Sequence, residues 1–197
     1  MASVGVIGGG QLARMMTPPA INLGLEIKVL AEAAGSSAAL ATTQVGDYTH
    51  LDVVREFAAT VDVITFDHEH VPVGLLEKIE AAGIAVHPKP AALIHAQNKL
   101  VMRKRLQELN LPQPVWAQAD SEADIKGFLD ANGPQIIVKT PIGGYDGKGV
   151  RVVSDVSQVS DWLINLENLG GSLLLEQKVA FTRELAQLIA RSPSGGT

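Results

Sequence analysis

The run Val4-Gly5-Val6-Ile7 passes directly into Gly8-Gly9-Gly10, and few folds accept that junction. A short apolar segment ending in glycines reads as a buried strand and a tight turn. Residues 11–21 continue as a helix, with Pro18 and Pro19 as irregularities inside it. The alternation then repeats. Residues 25–30, 41–45, 61–65 and 84–86 read as strands, and 52–59 as a helix. A further helix starts at Pro72, with Leu75, Leu76 and Ile79 at helical spacing. Strands alternating with helices imply a parallel sheet with right-handed crossovers. Residues 1–95 are therefore expected to form a doubly wound α/β domain.

The rhythm changes beyond that point. Residues 97–109 read as a basic amphipathic helix carrying Lys99, Arg103, Lys104 and Arg105, and Leu111-Pro112-Gln113-Pro114 as a break. A strand over 115–118, a helix over 121–132 capped by Ser121, and a strand over 135–139 follow. A glycine-rich loop over 143–149 leads into a strand at 150–153, so it joins strand to strand. Residues 155–166 read as helix, and 173–176 and 184–190 as strands. The expected divisions are 1–95, 96–176 and 177–197, the second a small α+β unit and the third the start of another.

Composition excludes several classes of function. The chain has no cysteine, which removes disulfide scaffolds, thiolate metal sites and cysteine nucleophiles. Net charge is −5, with no basic block suited to nucleic acid. No apolar stretch approaches the roughly 20 residues of a membrane-spanning helix. The opening Met-Ala-Ser-Val has no basic leader region, so a cytoplasmic location is expected. Residues 1–98 carry five bases against ten acids and residues 99–197 eleven of each, in keeping with two domains of different character.

Gly8-Gly9-Gly10-Gln11-Leu12-Ala13 formally satisfies a dinucleotide-binding pattern, and Glu32 sits where a ribose-binding acid would. A plain strand-to-helix turn and a turn whose N–H groups face a small anionic substrate are the other readings. In a doubly wound sheet the first and fourth strands flank the ligand crevice. That topology sets Gln11 opposite Glu69, in Phe66-Asp67-His68-Glu69-His70. His68 and His70 have the spacing of a metal pair but lack an evident third ligand, and are read as crevice histidines.

The second cluster is Lys139-Thr140-Pro141-Ile142-Gly143-Gly144-Tyr145-Asp146-Gly147-Lys148-Gly149. It is not a Walker A loop, because Ile142 and Gly149 stand where that pattern needs Gly and Ser or Thr. Bare backbone amides approach phosphate oxygens closely, and Lys139 and Lys148 add positive charge. A nucleoside triphosphate suits this arrangement; an ordinary glycine hairpin is the alternative. Glu176-Gln177-Lys178-Val179 ends an apolar strand whose carboxylate and backbone would suit a ribose or an adenine edge. Taken singly, Glu176 and Glu184 read as exposed acids.

Together, Gly10-Gln11-Leu12-Ala13-Arg14-Met15, the stretch from Val61 through Thr65-Phe66-Asp67-His68-Glu69-His70-Val71-Pro72, Gly143-Gly144-Tyr145-Asp146-Gly147-Lys148-Gly149, and Glu176-Gln177 with Glu184 resemble the 5-(carboxyamino)imidazole ribonucleotide synthases. These are ATP-grasp ligases of bacterial and fungal purine synthesis, and the resemblance runs along the whole chain. It implies a Rossmann-like pre-ATP-grasp domain, an ATP-grasp lid domain and the first part of a C-terminal ATP-grasp domain. It implies carboxylation of 5-aminoimidazole ribonucleotide with bicarbonate through carboxyphosphate, giving ADP and phosphate. The ATP residues implied are Lys99, Lys139, Gly144, Tyr145, Asp146, Gly147, Lys148, Gly149, Val150, Glu176, Gln177, Lys178, Val179 and Glu184. On the ribonucleotide side they are Gly10, Gln11, Leu12, Glu69, Tyr145 and Lys148. Lys139, Lys148 and Tyr145 are the catalytic candidates.

Within this resemblance Lys99 stands where the family commonly has Arg, and Asp67, His68 and His70 replace the more usual Glu, Phe and Asn around Glu69. Magnesium is implied with ATP, but its ligands and a homodimer belong to the full-length enzyme. The chain is thus expected to be an N-terminal half, lacking metal ligands and inactive alone. The competing readings are an NAD(P)-dependent oxidoreductase built on the first glycine turn and a non-catalytic nucleotide-binding module.

Overall fold

A computed structural model of the chain describes residues 1–144, 147–192 and 195. They form two units, one of Met1–Leu111 with Pro141–Gly143, the other of Pro112–Thr140 and the described residues from Gly144 onward.

The first unit contains β1 (Ser3–Ile7), α1 (Gln11–Asn22), β2 (Glu26–Ala31), β3 (Thr42–Val45), α2 (Leu51–Ala58), β4 (Val63–Phe66), α3 (Val73–Ala81), β5 (Ala85–Val86), α4 (Pro90–Gln97) and α5 (Lys99–Glu108). All strand pairs are parallel, in the order β3-β2-β1-β4-β5. Alternate residues of a strand point to opposite faces, so β1 and β2 feed two cores. Ile7, Leu30 and Ile64 pack with Phe57, Leu76 and Ile79 of α2 and α3. Val6, Val29 and Ala31 pack on the other face with Ala13 of α1. Small side chains there let α1 lie close to the sheet. Pro18 and Pro19 remain inside α1 on its exposed side, where the carbonyls they leave without a helical donor can face water.

Two expectations change in this unit. Residues 90–96, for which no element was expected, form α4 together with Gln97, which was expected to open the next helix, and Pro90 lies in the first turn. The basic helix, expected to begin the second domain, belongs with the first unit as α5. Asn98 separates the two helices and caps the second, its Oδ1 accepting from the N–H groups of Leu100 (3.0 Å) and Val101 (3.2 Å). Leu100 is buried, and the Lys99 N–H donates to the Pro141 carbonyl at 2.9 Å.

The second unit contains β6 (Trp116–Ala119), α6 (Glu122–Asn132), β7 (Ile136–Lys139), β8 (Val150–Val153), α7 (Ser160–Ile164) and β9 (Leu173–Gln177). Its sheet is antiparallel, in the order β6-β9-β7-β8. Ile125 and Phe128 of α6 cover Ile136, Val138, Leu173 and Leu175 on one face. Ser121 caps α6 in a capping box with Asp124, each side chain bonding the other's backbone N–H. Ser121→Ala is expected to cost about 1 kcal/mol in the denaturant unfolding of this unit, with little change in the first.

The helix expected over 155–166 is broken into two 3-10 turns, Val156–Val159 and Leu166–Leu169, around the short α7. Asp155 boxes the first turn with Gln158, and Asn165 donates to the Asp161 carbonyl. Such local polar bonds compete with helix continuation. The strand expected over 184–190 is corrected: these residues form no regular element, and Leu185, Leu188 and Ile189 are exposed. A strand is stabilised by a neighbour's ladder, and apolar alternation alone does not supply one.

Candidate functional site

In the first unit, the carboxyl ends of β1 and β4 lie side by side, Ile7 opposite Phe66. The loops leaving them are joined. Gly8 has φ +104°, and a Cβ there would lie 1.9 Å from Asp67 Oδ1, so only glycine lets the two loops approach. The Gly10 N–H donates to Asp67 Oδ2 at 2.7 Å, and the Gly9 N–H to Glu32 Oε2 at 3.1 Å. The other Glu32 oxygen meets His68 Nε2 at 3.2 Å, while the His70 N–H donates to His68 Nδ1 at 3.2 Å. These partners assign the neutral imidazole its proton on Nε2.

This arrangement decides among the readings of the first glycine cluster. Glu32 turns to the glycine backbone instead of outward to a ribose. The Gly9 and Gly10 amides, expected to face an anionic substrate in one reading, donate to carboxylates of the chain itself. Gln11 and Leu12 are exposed at the start of α1, and Glu69 is half-buried in the loop after β4. Gln97 holds that loop by donating to the carbonyls of Glu69 (2.6 Å) and Val71 (2.8 Å). Gly10, Gln11, Leu12 and Glu69 thus gather at the carboxyl edge of this sheet. The rings of His68 and His70 stack at 5.4 Å. Among the described residues no group of three or more His, Asp or Glu side chains is placed to hold a metal ion.

Burial pulls the Glu32 carboxyl upward, but the Gly9 N–H, its own backbone amide and His68 together hold it below the ordinary glutamate range. A carboxyl depressed by folding adds stability above its unfolded pKa, and that stability is lost as pH falls through the folded value. The melting temperature of the first unit should therefore exceed that of Glu32→Gln at neutral pH. The difference should hold down to about the ordinary value of 4.5 and shrink below it.

In the second unit, register explains the central pair. Ile137 lies opposite Glu176, and Lys139 opposite Leu174, so Lys139 and Glu176 are diagonal neighbours on one face. Lys139 Nζ lies 2.6 Å from Glu176 Oε2. Glu176 is only 4% exposed, not the exposed acid it resembles when read singly, because β9 is a central strand. Leu174 is fully buried on the same face as the pair, while Val150 and Val152 of the edge strand β8 are partly open. Trp116 of β6 also lies on this face, opposite Glu176.

The glycine loop closes at its base. The Thr140 N–H donates to the Gly149 carbonyl at 2.9 Å. Gly149 has φ +74°, and a Cβ there would lie 2.4 Å from Thr140 Oγ1. Gly147 and Lys148 are exposed, and Val150 opens β8. Tyr145 and Asp146 lie outside the described residues. At the end of β9 the Gln177 N–H donates to the Val115 carbonyl at 2.8 Å, and Lys178 Nζ to Gln135 Oε1 at 2.5 Å. Val179 follows, exposed.

The second unit therefore gathers Lys139, Gly144, Gly149, Val150 and Glu176 around one sheet face, with Gln177 next to Glu176 on the opposite face of β9. Lys99 belongs to the first unit, and Glu184 is exposed in the irregular stretch after β9. Sequence reasoning missed Trp116 and Ile137 on this face, and the clamp of Glu32 and Asp67 on the glycine turn. The Trp116 and Ile137 placements depend on cross-strand register between segments far apart in sequence.

Comparison with known proteins also divides the chain in two, with the boundary at α5. Residues 1–97 match the ribonucleotide synthetase preATP-grasp domain, and residues 104–197 match the ATP-grasp domain. The chain is 45% identical to an N5-carboxyaminoimidazole ribonucleotide synthase of Mycobacterium bovis over 98% of its own length and 45% of that protein's. It is 44% identical to the one from Corynebacterium ammoniagenes, over 99% of this chain and 48% of the relative. The chain thus spans about half the length of the curated relatives it matches. Among solved structures, the synthase of Aspergillus clavatus with ADP and 5-aminoimidazole ribonucleotide aligns with TM-score 0.77 at 26% identity, covering 92% of this chain and 47% of that one. The same enzyme with ATP aligns at TM-score 0.78 and 27% identity, covering 92% and 48%.

Proposed function

Since the chain belongs to the N5-carboxyaminoimidazole ribonucleotide synthase family of ATP-grasp proteins, we propose that it supplies the ribonucleotide-facing unit and the lid-side nucleotide surface of a carbon–nitrogen ligase. The reaction proposed is ATP-dependent carboxylation of 5-aminoimidazole ribonucleotide. A bicarbonate oxygen attacks the γ-phosphorus, ADP leaves, and carboxyphosphate forms. The exocyclic amine then attacks the carboxyl carbon, phosphate leaves, and the amine loses a proton to give the carboxyamino product.

The observation that carries the nucleotide half is the Lys139–Glu176 pair beside the closed base of the glycine loop. An ammonium and preorganised backbone amides offset charge on a transferring phosphoryl group at little reorganisation cost. Lys139 and Lys148 are assigned to the phosphates. Glu176 through Val179 are assigned to the base and sugar, and Glu184 and Lys99 are assigned to the nucleotide as well. Gln11 and Glu69, with Tyr145 and Lys148, orient the ribonucleotide against carboxyphosphate, an entropic contribution that requires no proton transfer from them. Magnesium accompanies ATP in this reaction, and among the described residues no group of three or more His, Asp or Glu side chains is placed to hold it.

An NAD(P) enzyme built on the first glycine turn is disfavoured by the carboxylates on Gly9 and Gly10. Calorimetric titration separates the readings. ATP and ADP should release heat on binding to the chain, and NAD and NADH should not. Binding of NADH with no response to ATP would overturn the proposal.

A further inference from the structure

The amino end of α1 is an anion seat by construction. Its first backbone N–H groups converge at a glycine turn, the dipole of a 12-residue helix lies behind them, and the turn follows a central parallel strand. In this chain two amides of that seat, the Gly9 and Gly10 N–H groups, are occupied from within. Glu32 comes from the end of β2 and Asp67 from the end of β4, so the strands on both sides of β1 each contribute one carboxylate. Each places one oxygen on a glycine N–H and the other toward the same imidazole nitrogen. His68 Nε2 is 3.2 Å from Glu32 Oε1 and 3.7 Å from Asp67 Oδ1. The Asp67 side chain is only 3% exposed, and its Oδ1 has no hydrogen-bond partner among the described residues. A buried carboxylate oxygen left without a donor is costly, so its retention points to work done by the other oxygen, on Gly10. Tyr48 lies against the imidazole, ring centres 5.1 Å apart, and closes the outer side of the cluster with His70.

We propose that Glu32 and Asp67 are positioning residues that act with His68 as an internal anion, fixing the Gly8-Gly9-Gly10 turn so that Gln11 is presented from a rigid backbone, and withholding the Gly9 and Gly10 amides from phosphate. The consequence is one of specificity. A ligand at this edge meets the half-exposed Glu32 carboxylate where many nucleotide-binding folds present donors, so it must bring N–H or O–H groups to the turn and keep its phosphate off the Gly9 and Gly10 amides. The role of Gln11 rests on the function proposed above; the cap itself does not.

The test uses the isotope-labelled chain, whose Gly9, Gly10 and Gln11 amide resonances are followed at neutral pH. Charge-assisted hydrogen bonds should set the Gly9 and Gly10 amide protons downfield. Glu32→Gln should move Gly9 upfield, and Asp67→Asn should move Gly10 upfield, with the remaining spectrum of the first unit unchanged. Inorganic pyrophosphate should leave all three resonances in place in the wild type. It should shift Gly9 and Gly10 in Asp67→Ala, or in the Glu32→Gln/Asp67→Asn double variant if the alanine variant fails to fold. A merely structural carboxylate would not alter the response to pyrophosphate. Wild-type glycine amides that move with pyrophosphate, or that ignore both substitutions, overturn the cap. If the cap passes and 5-aminoimidazole ribonucleotide still leaves Gln11 unmoved, the crevice assignment fails and the cap stands.

Discussion

Lys139→Ala is expected to abolish useful nucleotide binding and to destabilise the second unit. The ammonium sits 2.6 Å from a carboxylate that is 4% exposed, so its removal withdraws a charge that offsets a buried anion. Breaking a buried pair from one side costs roughly 3 kcal/mol or more, whereas replacing both partners by apolar groups is often neutral. The double variant Lys139→Met/Glu176→Leu should therefore recover most of the unfolding free energy lost in the single variant. It should not recover ATP. Loss of a charge-assisted contact to phosphate weakens binding by about 10- to 100-fold on its own, and the double variant also lacks the acid assigned to the base and sugar. Denaturant unfolding paired with calorimetric titration of ATP checks both halves. Stability and binding that recover together would remove Lys139 from the nucleotide site.

Gly8→Ala is expected to have the next largest effect, confined to the first unit. At φ +104° a side chain is strained, and the added Cβ would lie 1.9 Å from Asp67 Oδ1, so the buried Asp67 side chain must move. The cost should be roughly 2–4 kcal/mol, read as a lowered midpoint of the first unit's unfolding. Gly10 should lose its bond to Asp67 in the same variant, and the crevice between Gln11 and Glu69 should widen. Gly143→Ala is a useful control: it also has positive φ (+72°), but a Cβ there meets nothing within 4 Å.

Much of the fold is legible in the sequence because its signals are local. The junction from Ile7 into Gly8-Gly9-Gly10 marks a strand and its turn wherever it occurs, and Ser121 with Asp124 marks a helix start. Residues 90–96 escaped because Pro-Ala-Ala-Leu-Ile-His-Ala is apolar almost throughout and carries little periodicity. Residues 184–190 show the opposite failure, since their composition favours a strand while strand formation depends on a neighbour that composition does not specify.

The candidate site divides the same way. The glycine loop and Lys139 read as a phosphate site from sequence, beside the alternative of an ordinary glycine hairpin. That Glu176 is buried and paired with Lys139 follows from β9 lying between β6 and β7, an order no local pattern specifies. Glu32 matches the position of a ribose-binding acid along the chain, but its orientation is set by the Gly9 N–H and His68, which only the folded sheet brings to it.

In the function proposed, the ribonucleotide engages Gly10, Gln11, Leu12 and Glu69 of the parallel-sheet unit, and ATP engages Lys139, the glycine loop and Glu176 through Val179 of the antiparallel one. The most direct measurement is an amide map of the isotope-labelled chain with each ligand added separately. ATP should move Lys139, Gly144, Gly149 and Glu176 through Val179. Aminoimidazole ribonucleotide should move Gly10, Gln11, Leu12 and Glu69. A chain in which NAD moves the first glycine turn while ATP leaves the second sheet unchanged would contradict the account.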